Sequence, residues 1–136
     1  MIASIEQRHT LAEITWTADR LLDRGHHRAM LALCNRALVD HGDLPDLRLR
    51  RARALMALHR ADEAERDLAM VLCQRPESST AHLLLCEIAL CRGDLDRAEE
   101  LLDRAIDLDP SHPRTVDLAD VVQGWRQQLS AYRCAA

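Results

Sequence analysis

The sequence predicts an all-α chain built as a stack of helical hairpins. Three observations carry that prediction. Apolar residues recur every third or fourth position on both sides of short turns marked by Gly or Pro. The pattern then repeats: windows of about 34 residues, Leu11–Leu44, Pro45–Ser78 and Ser79–His112, follow one another without a gap. Finally, 48% of the residues are apolar but only 2% are aromatic, with no Phe. A core of Leu, Ala, Val, Ile and Met suits close helix packing, and 4 Gly with 4 Pro leave little turn chemistry for a β fold. At 136 residues, one domain spanning 1–136 is expected.

Superposing the windows tests the repeat. Ala98 falls on Ala64 and Met30, Leu102 on Leu68 and Cys34, Ala105 on Val71 and Ala37, and Gly93 on His59 and Gly25. In chain order, Ser4 and Gln7 fit a capping box that would start the first helix near Ile5 and carry it to about Arg24. Leu11, Ile14, Ala18 and Leu21 form its main apolar stripe, while Ile5, Ala12 and Trp16 fall on the other side. That second stripe is either covered by the few residues before it or met by a partner or a second copy. After Gly25 a helix runs from about His27 to His41, and Pro45 suits the first position of the next, which extends to about His59. Arg48, Arg50, Arg51 and Arg53 scatter around that third helix, as on a solvated, salt-bridged surface; the sharper reading gives Arg50 and Arg53 an acidic peptide.

Ala61 to Gln74 and Leu95 to Leu108 carry acids in their first turns, which oppose the positive end of the helix dipole. Pairs such as Asp62–Arg66 and Glu100–Arg104 belong on an exposed face. Between these helices, the one starting at Ser79 ends at Gly93, Asp94 caps its successor, and Pro110 stops the chain from continuing helically. From Pro113, the residues Leu118, Val122, Trp125, Leu129 and Tyr132 step by four and three into one apolar face, as a terminal helix covering the open end of a stack would require. Gly124 weakens that helix by about 1 kcal/mol relative to Ala.

A formal charge of −4 and a pI near 5.9 argue against nucleic acid as partner, which needs a basic face to displace counterions. All 18 basic residues are Arg, read as the composition of a high-GC bacterial genome. Five Cys without C-x-x-C spacing read as buried free thiols in a reducing compartment. The first residues lack the apolar run of a signal peptide, and no stretch is long enough for membrane insertion, so a cytoplasmic location is expected. His26-His27 and His59 fall at neighbouring turns, but no H-x-x-x-H pair or completing ligand accompanies them, so no metal and no cofactor are expected. With no phosphate loop and no nucleophile motif, the chain reads as a non-enzyme.

The small Ala18, Ala52 and Cys86, the turn residues Gly25 and Gly93-Asp94, the pairs Ala64 with Ala98 and Ala37 with Ala105, and Pro76 and Pro110 resemble the tetratricopeptide repeat family over residues 11–112. The helix at 113–133 is similar to that family's capping helix. Arg48, His82, Leu21 and Leu55 stand where the family has aromatic residues, and Arg51 where it has an apolar one. The resemblance implies a right-handed solenoid whose concave groove is lined by the first helix of each hairpin and holds a segment of another protein. By register the groove residues are Thr15, Trp16 and Asp19 in the first repeat, Leu49, Arg50, Arg53 and Met56 in the second, and Leu83, Leu84, Glu87 and Leu90 in the third. The family's peptide-carboxylate clamp uses Lys and Asn, which are missing at these positions. An amphipathic helix whose Asp or Glu meets Arg50 or Arg53 is the implied occupant.

A narrower resemblance lies in Leu11-Ala12-Glu13-Ile14, Gly25-His26-His27, Leu85-Cys86-Glu87 and Gly124–Leu129, which look like the small repeat-type chaperones of type III secretion needle subunits. It implies a chaperone that shields the amphipathic helix of an exported needle subunit, helped by a second small chaperone that would contact the first helix. A general interaction adaptor or scaffold is the broader alternative. A self-assembling structural protein, a homo-oligomer formed through Ile5, Ala12 and Trp16, is the other.

Overall fold

The structure is a computed structural model and describes residues 9–135. Seven helices and no strand occur among them: α1 Leu11–Asp23, α2 His27–His41, α3 Pro45–Ala57, α4 Ala61–Gln74, α5 Ser79–Cys91, α6 Leu95–Leu108 and α7 Pro113–Ala135. The all-α prediction holds, and α2, α4 and α6 begin and end where the apolar spacing and turn residues place them.

The first helix starts later than predicted. Thr10 is extended, its hydroxyl accepts from the Glu13 amide at 3.3 Å, and its own amide donates to the Glu13 carboxylate at 2.8 Å. This reciprocal capping box sets the start at Leu11, so no single helix runs from Ile5. Ser4, Ile5 and Gln7 lie outside the described residues.

The repeat is visible in the turns. Gly25, His59 and Gly93 share one register position, and all three take left-handed backbone angles, with φ of 74°, 61° and 76°. The following amides of His26, Arg60 and Asp94 each reach back to a carbonyl five residues earlier, on Leu21, Leu55 and Ala89, at 2.8, 2.8 and 2.9 Å. This is the hydrogen bond by which a left-handed residue closes a helix end. Asp94 then caps α6 by accepting from the Arg97 amide at 3.2 Å.

The described chain gathers into two compact units, one ending at Asp67 and one beginning at Leu68, with the division inside α4. In the first, α2 packs against α1 and α3. Ile14, Ala37 and Leu47 form one buried cluster, and Ala18, Met30, Cys34 and Ala54 another. In the second unit a single larger cluster joins Leu83, Cys86 and Leu90 of α5 to Ala98, Leu102 and Ala105 of α6 and to Leu118 and Val122 of α7.

Only the first half of α7 covers this core. Leu118 and Val122 are buried, whereas Trp125, Leu129 and Tyr132 are exposed, which corrects the expectation of one continuous covering face. The reason is length. At about 1.5 Å per residue, the 23 residues of α7 outrun the 14 of α6 by several turns. The thiols also divide: Cys34 and Cys86 are buried, but Cys73, Cys91 and Cys134 are exposed, so the expectation of buried thiols holds for two.

Candidate functional site

In the first unit α3 presents two opposed faces. At roughly 100° per residue, Leu49, Arg50, Arg53 and Met56 centre on a direction about 150° from that of Arg48, Arg51 and Leu55. The first face adjoins α1 through Arg50, whose Nε and Nη2 donate to the two carboxylate oxygens of Asp19 at 3.0 and 3.2 Å. Two predicted groove residues are therefore joined in a bidentate pair. The Arg50 fork is thus held by Asp19, so an acidic group of a partner would share this cation with Asp19. Leu49, Arg53 and Met56 are half-buried beside it.

On α1, three residues before Asp19, Trp16 is 64% exposed, with the Arg20 guanidinium 5.1 Å from its ring centroid. An exposed indole with only a cation over it has most of its apolar area in water. Thr15 is half-buried and bonds within its own helix, Oγ1 donating to the Ala12 carbonyl at 3.1 Å. Ala12 is exposed.

The third-repeat candidates behave differently. Leu83 is 1% exposed, and Leu84 and Leu90 are also buried. Leu83 and Leu90 belong to the core shared with α6 and α7. These three therefore present little surface, in contrast to the candidates on α1 and α3. Glu87 is half-buried and forms an ion pair with Arg114 of α7. Because α5 is apolar almost all round, helical spacing alone cannot say which of its leucines face inward.

The second face of α3 holds a feature that the sequence reading missed. Asp67 of α4, 3% exposed, accepts from Arg48 Nη1 at 2.8 Å and from Arg51 Nε at 2.7 Å. Arg51 also donates to the Asn35 side chain at 3.3 Å, and Arg48 reaches Asp43 in the loop before α3. The Arg48 hydrogen bonds hold the Asp43 carboxyl below the usual carboxylate range. Arg48 and Arg51, two of the departures from the family pattern, are thus reconciled with the fold by one buried carboxylate. The signal was present, since Asp67 sits among Ala64, Leu68 and Val71 on the apolar stripe of α4.

In the second unit, Arg126 of α7 donates to Glu99 at 2.8 and 2.7 Å and to Asp96 at 2.9 Å, tying α7 to α6. This guanidinium holds the Glu99 carboxyl below its ordinary range. His82, in a position where the family has an aromatic ring, is buried with Nδ1 2.8 Å from the Ser78 carbonyl oxygen. Burial pushes the Cys34 and Cys86 thiols up to about 11. Among the described residues no group of three His, Cys, Asp or Glu side chains is placed to hold a metal ion. No described helix is long and apolar enough to cross a membrane.

Residues 49–113 match the family model described as tetratricopeptide repeat. No curated protein matches the chain. Among solved structures, the tetratricopeptide domain of Sgt2 from Aspergillus fumigatus superposes with a TM-score of 0.76 at 18% identity, over 92% of this chain and 83% of that one. The type III secretion translocator chaperone SycD of Yersinia enterocolitica, in complex with a peptide of the translocator YopD, gives 0.72 at 16% identity, over 90% and 94%. The second tetratricopeptide domain of human RPAP3, bound to an HSP70 peptide, gives 0.68 at 17% identity, over 81% and 92%. At such identities the likeness is one of fold. Residues 49–113 thus carry the match to tetratricopeptide repeats, and the helical hairpins share the fold of those domains.

Proposed function

We propose that the chain is a non-enzymatic chaperone of the tetratricopeptide kind, which holds an amphipathic helix of another protein against the α1–α3 face of its first unit. One observation carries this reading. The Trp16 indole is largely exposed on a helix whose Asp19 fixes Arg50, while Leu49 and Met56 lie half-buried on that face of α3. A partner helix laying its own apolar stripe there would remove most of this area from water. Trp and Arg are also the residue types enriched in binding hot spots.

In its most specific form the partner is the exported needle subunit of a type III secretion system, met in the cytoplasm. Two things support that form: the short sequence runs quoted above, and the secretion chaperone among the structures of like fold. The test is capture of the partner from the native host by wild type and by Leu49→Glu/Met56→Glu, with circular dichroism confirming that the variant folds. At least a tenfold loss of capture is expected; full capture by the folded variant would sink the α1–α3 assignment. Mass spectrometry of the captured chain decides the finer claim, since a partner that is not exported leaves only a general adaptor. Leu83→Glu does not serve here, because it would place a charge in the core.

Self-association is the second reading, favoured by the exposure of Ala12 and Trp16 on one side of α1. Light scattering on wild type and Trp16→Ala checks it: a monomer in both cases removes it.

A further inference from the structure

The side of α3 that carries Arg48 and Arg51 is not a closed surface. Three adjoining cavities of about 330, 390 and 370 Å³ run along it. The first lies over Arg51 and Asp67 and is bounded by Arg60 and Arg66 of the α4 side. The second shares Leu31, Asn35 and Arg60 with the first and opens beside Arg28. The third shares Asn35, Arg48 and Arg51 and opens beside Val39. Together they form a groove in the first unit, walled by α2 and α4 and floored by α3. It exists because long, charged side chains stand on α3 where bulkier apolar ones would fill the space.

Its charge is opposite to that of the chain. Arg28, Arg48, Arg51, Arg60 and Arg66 line it against Asp43, Glu63 and Asp67, in a protein of formal charge −4. Arg48 and Arg51 are held by Asp67, and Arg60 by Glu63 at 2.7 Å. Arg28 and Arg66 are exposed, the latter close enough to help hold the Glu63 carboxyl below its ordinary range, and the five guanidinium groups of the lining outnumber its three carboxylates. The lining also includes Leu31, half-buried, and Val39, exposed.

We infer that this groove docks an acidic, partly aliphatic peptide segment of a second protein, independently of the α1–α3 face. An excess of guanidinium groups over carboxylates in the lining favours single carboxylates, which arginine grips in a fork. The aliphatic wall asks for apolar side chains between those carboxylates. The three acids in the lining oppose a continuous run of phosphates, so nucleic acid fits worse. Because the two faces of α3 point in nearly opposite directions, one partner segment on each can bind at the same time.

The test uses the full chain and a fluorescein-labelled ten-residue peptide alternating Glu with Leu, followed by fluorescence anisotropy. Controls are the same peptide with Gln for Glu and a ten-nucleotide oligothymidylate. The Glu peptide should bind at least tenfold more tightly than either control, and Arg28→Glu/Arg66→Glu, both exposed positions, should weaken it at least tenfold. Trp16→Ala should leave it unchanged, and its addition should shift the ¹⁵N amide signals of Leu31, Asn35 and Arg60. Equal binding of the Glu and Gln peptides would overturn the proposal. So would indifference to the charge reversal in a variant with wild-type circular dichroism, tighter binding of the oligonucleotide, or loss of binding in Trp16→Ala.

Discussion

At His59 the backbone sits at φ 61°, in the same register where Gly25 and Gly93 turn the other two hairpins. An L-residue there brings its Cβ against the following carbonyl, at a cost of about 1–2 kcal/mol, part of which glycine returns through its looser unfolded state. His59→Gly is therefore expected to stabilise the protein by about 0.5–1 kcal/mol, read as a rise in the urea midpoint at constant m-value. A fall would show that the imidazole makes a compensating contact. Asp67 gives the opposite case. Removing it strands the Arg51 guanidinium and leaves Arg48 with Asp43 alone, both side chains being mostly out of water, so Asp67→Ala should cost about 3 kcal/mol, whereas the double change Asp67→Leu/Arg51→Leu should recover much of the loss. A cost below about 1 kcal/mol would mean that the cluster is no stronger than a surface network. Both residues bear on what a sequence reveals. The left-handed turn at His59 was legible because the repeat places it on two glycines. The ion cluster was not, because helical spacing ranks residues by apolarity and sets an aspartate or arginine outside the core by default, with no account of what pairs with it.

The helices α2, α4 and α6 were legible to the residue, because each carries one apolar stripe between unambiguous turn signals. Two other elements were not. In α5, Ala81, His82, Leu83, Leu84, Cys86, Ile88, Ala89 and Leu90 are all buried, so a pattern meant to separate a groove side from a core side had nothing to separate. In α7 the stripe is real, but its second half extends past the α6 surface that would bury it. Arg126 is what ties that overhang down. Its partner Glu99 is depressed in the folded state, so the pair adds stability above the unfolded carboxyl value of about 4.3 and loses it as the pH falls through the lower folded value. In Trp16→Phe protein, Trp125 emission should therefore shift to the red as the pH falls below the unfolded carboxyl value of about 4.3, and Arg126→Gln should show the red-shifted emission already at pH 7. A Trp125 signal that ignores both changes would mean that Arg126 does not hold the helix. Thiol labelling checks the burial of the same elements. At pH 8, iodoacetamide should add to Cys73, Cys91 and Cys134 and spare Cys34 and Cys86, whose buried thiols are pushed up to about 11. Intact-mass spectra reporting five additions to the folded protein would contradict that packing.

Across the whole molecule, burial is uneven, and function follows the unevenness. In the first unit the two clusters that involve α1 hold three and four buried residues, and α1 buries only Ile14 and Ala18 of its thirteen residues. The second unit joins three helices in one cluster of eleven buried residues. Since hydrophobic burial scales with apolar area removed from water, α5 and α6 should open only with the largest unfolding events, and α1 with the smallest. The surfaces proposed for partners, the Trp16 face and the arginine-lined groove, both lie in the less buried unit. There, exposed apolar area and an excess of guanidinium groups over carboxylates remain for something outside the chain, whereas α5 has spent its leucines on the fold. Native-state hydrogen exchange followed by mass spectrometry checks this directly. Peptides covering α1 should exchange at least tenfold faster than those covering α5, and a captured partner helix should slow α1 and α3 while leaving α5 unchanged. Uniform exchange across the helices would remove the energetic difference on which this division between scaffold and binding surface depends.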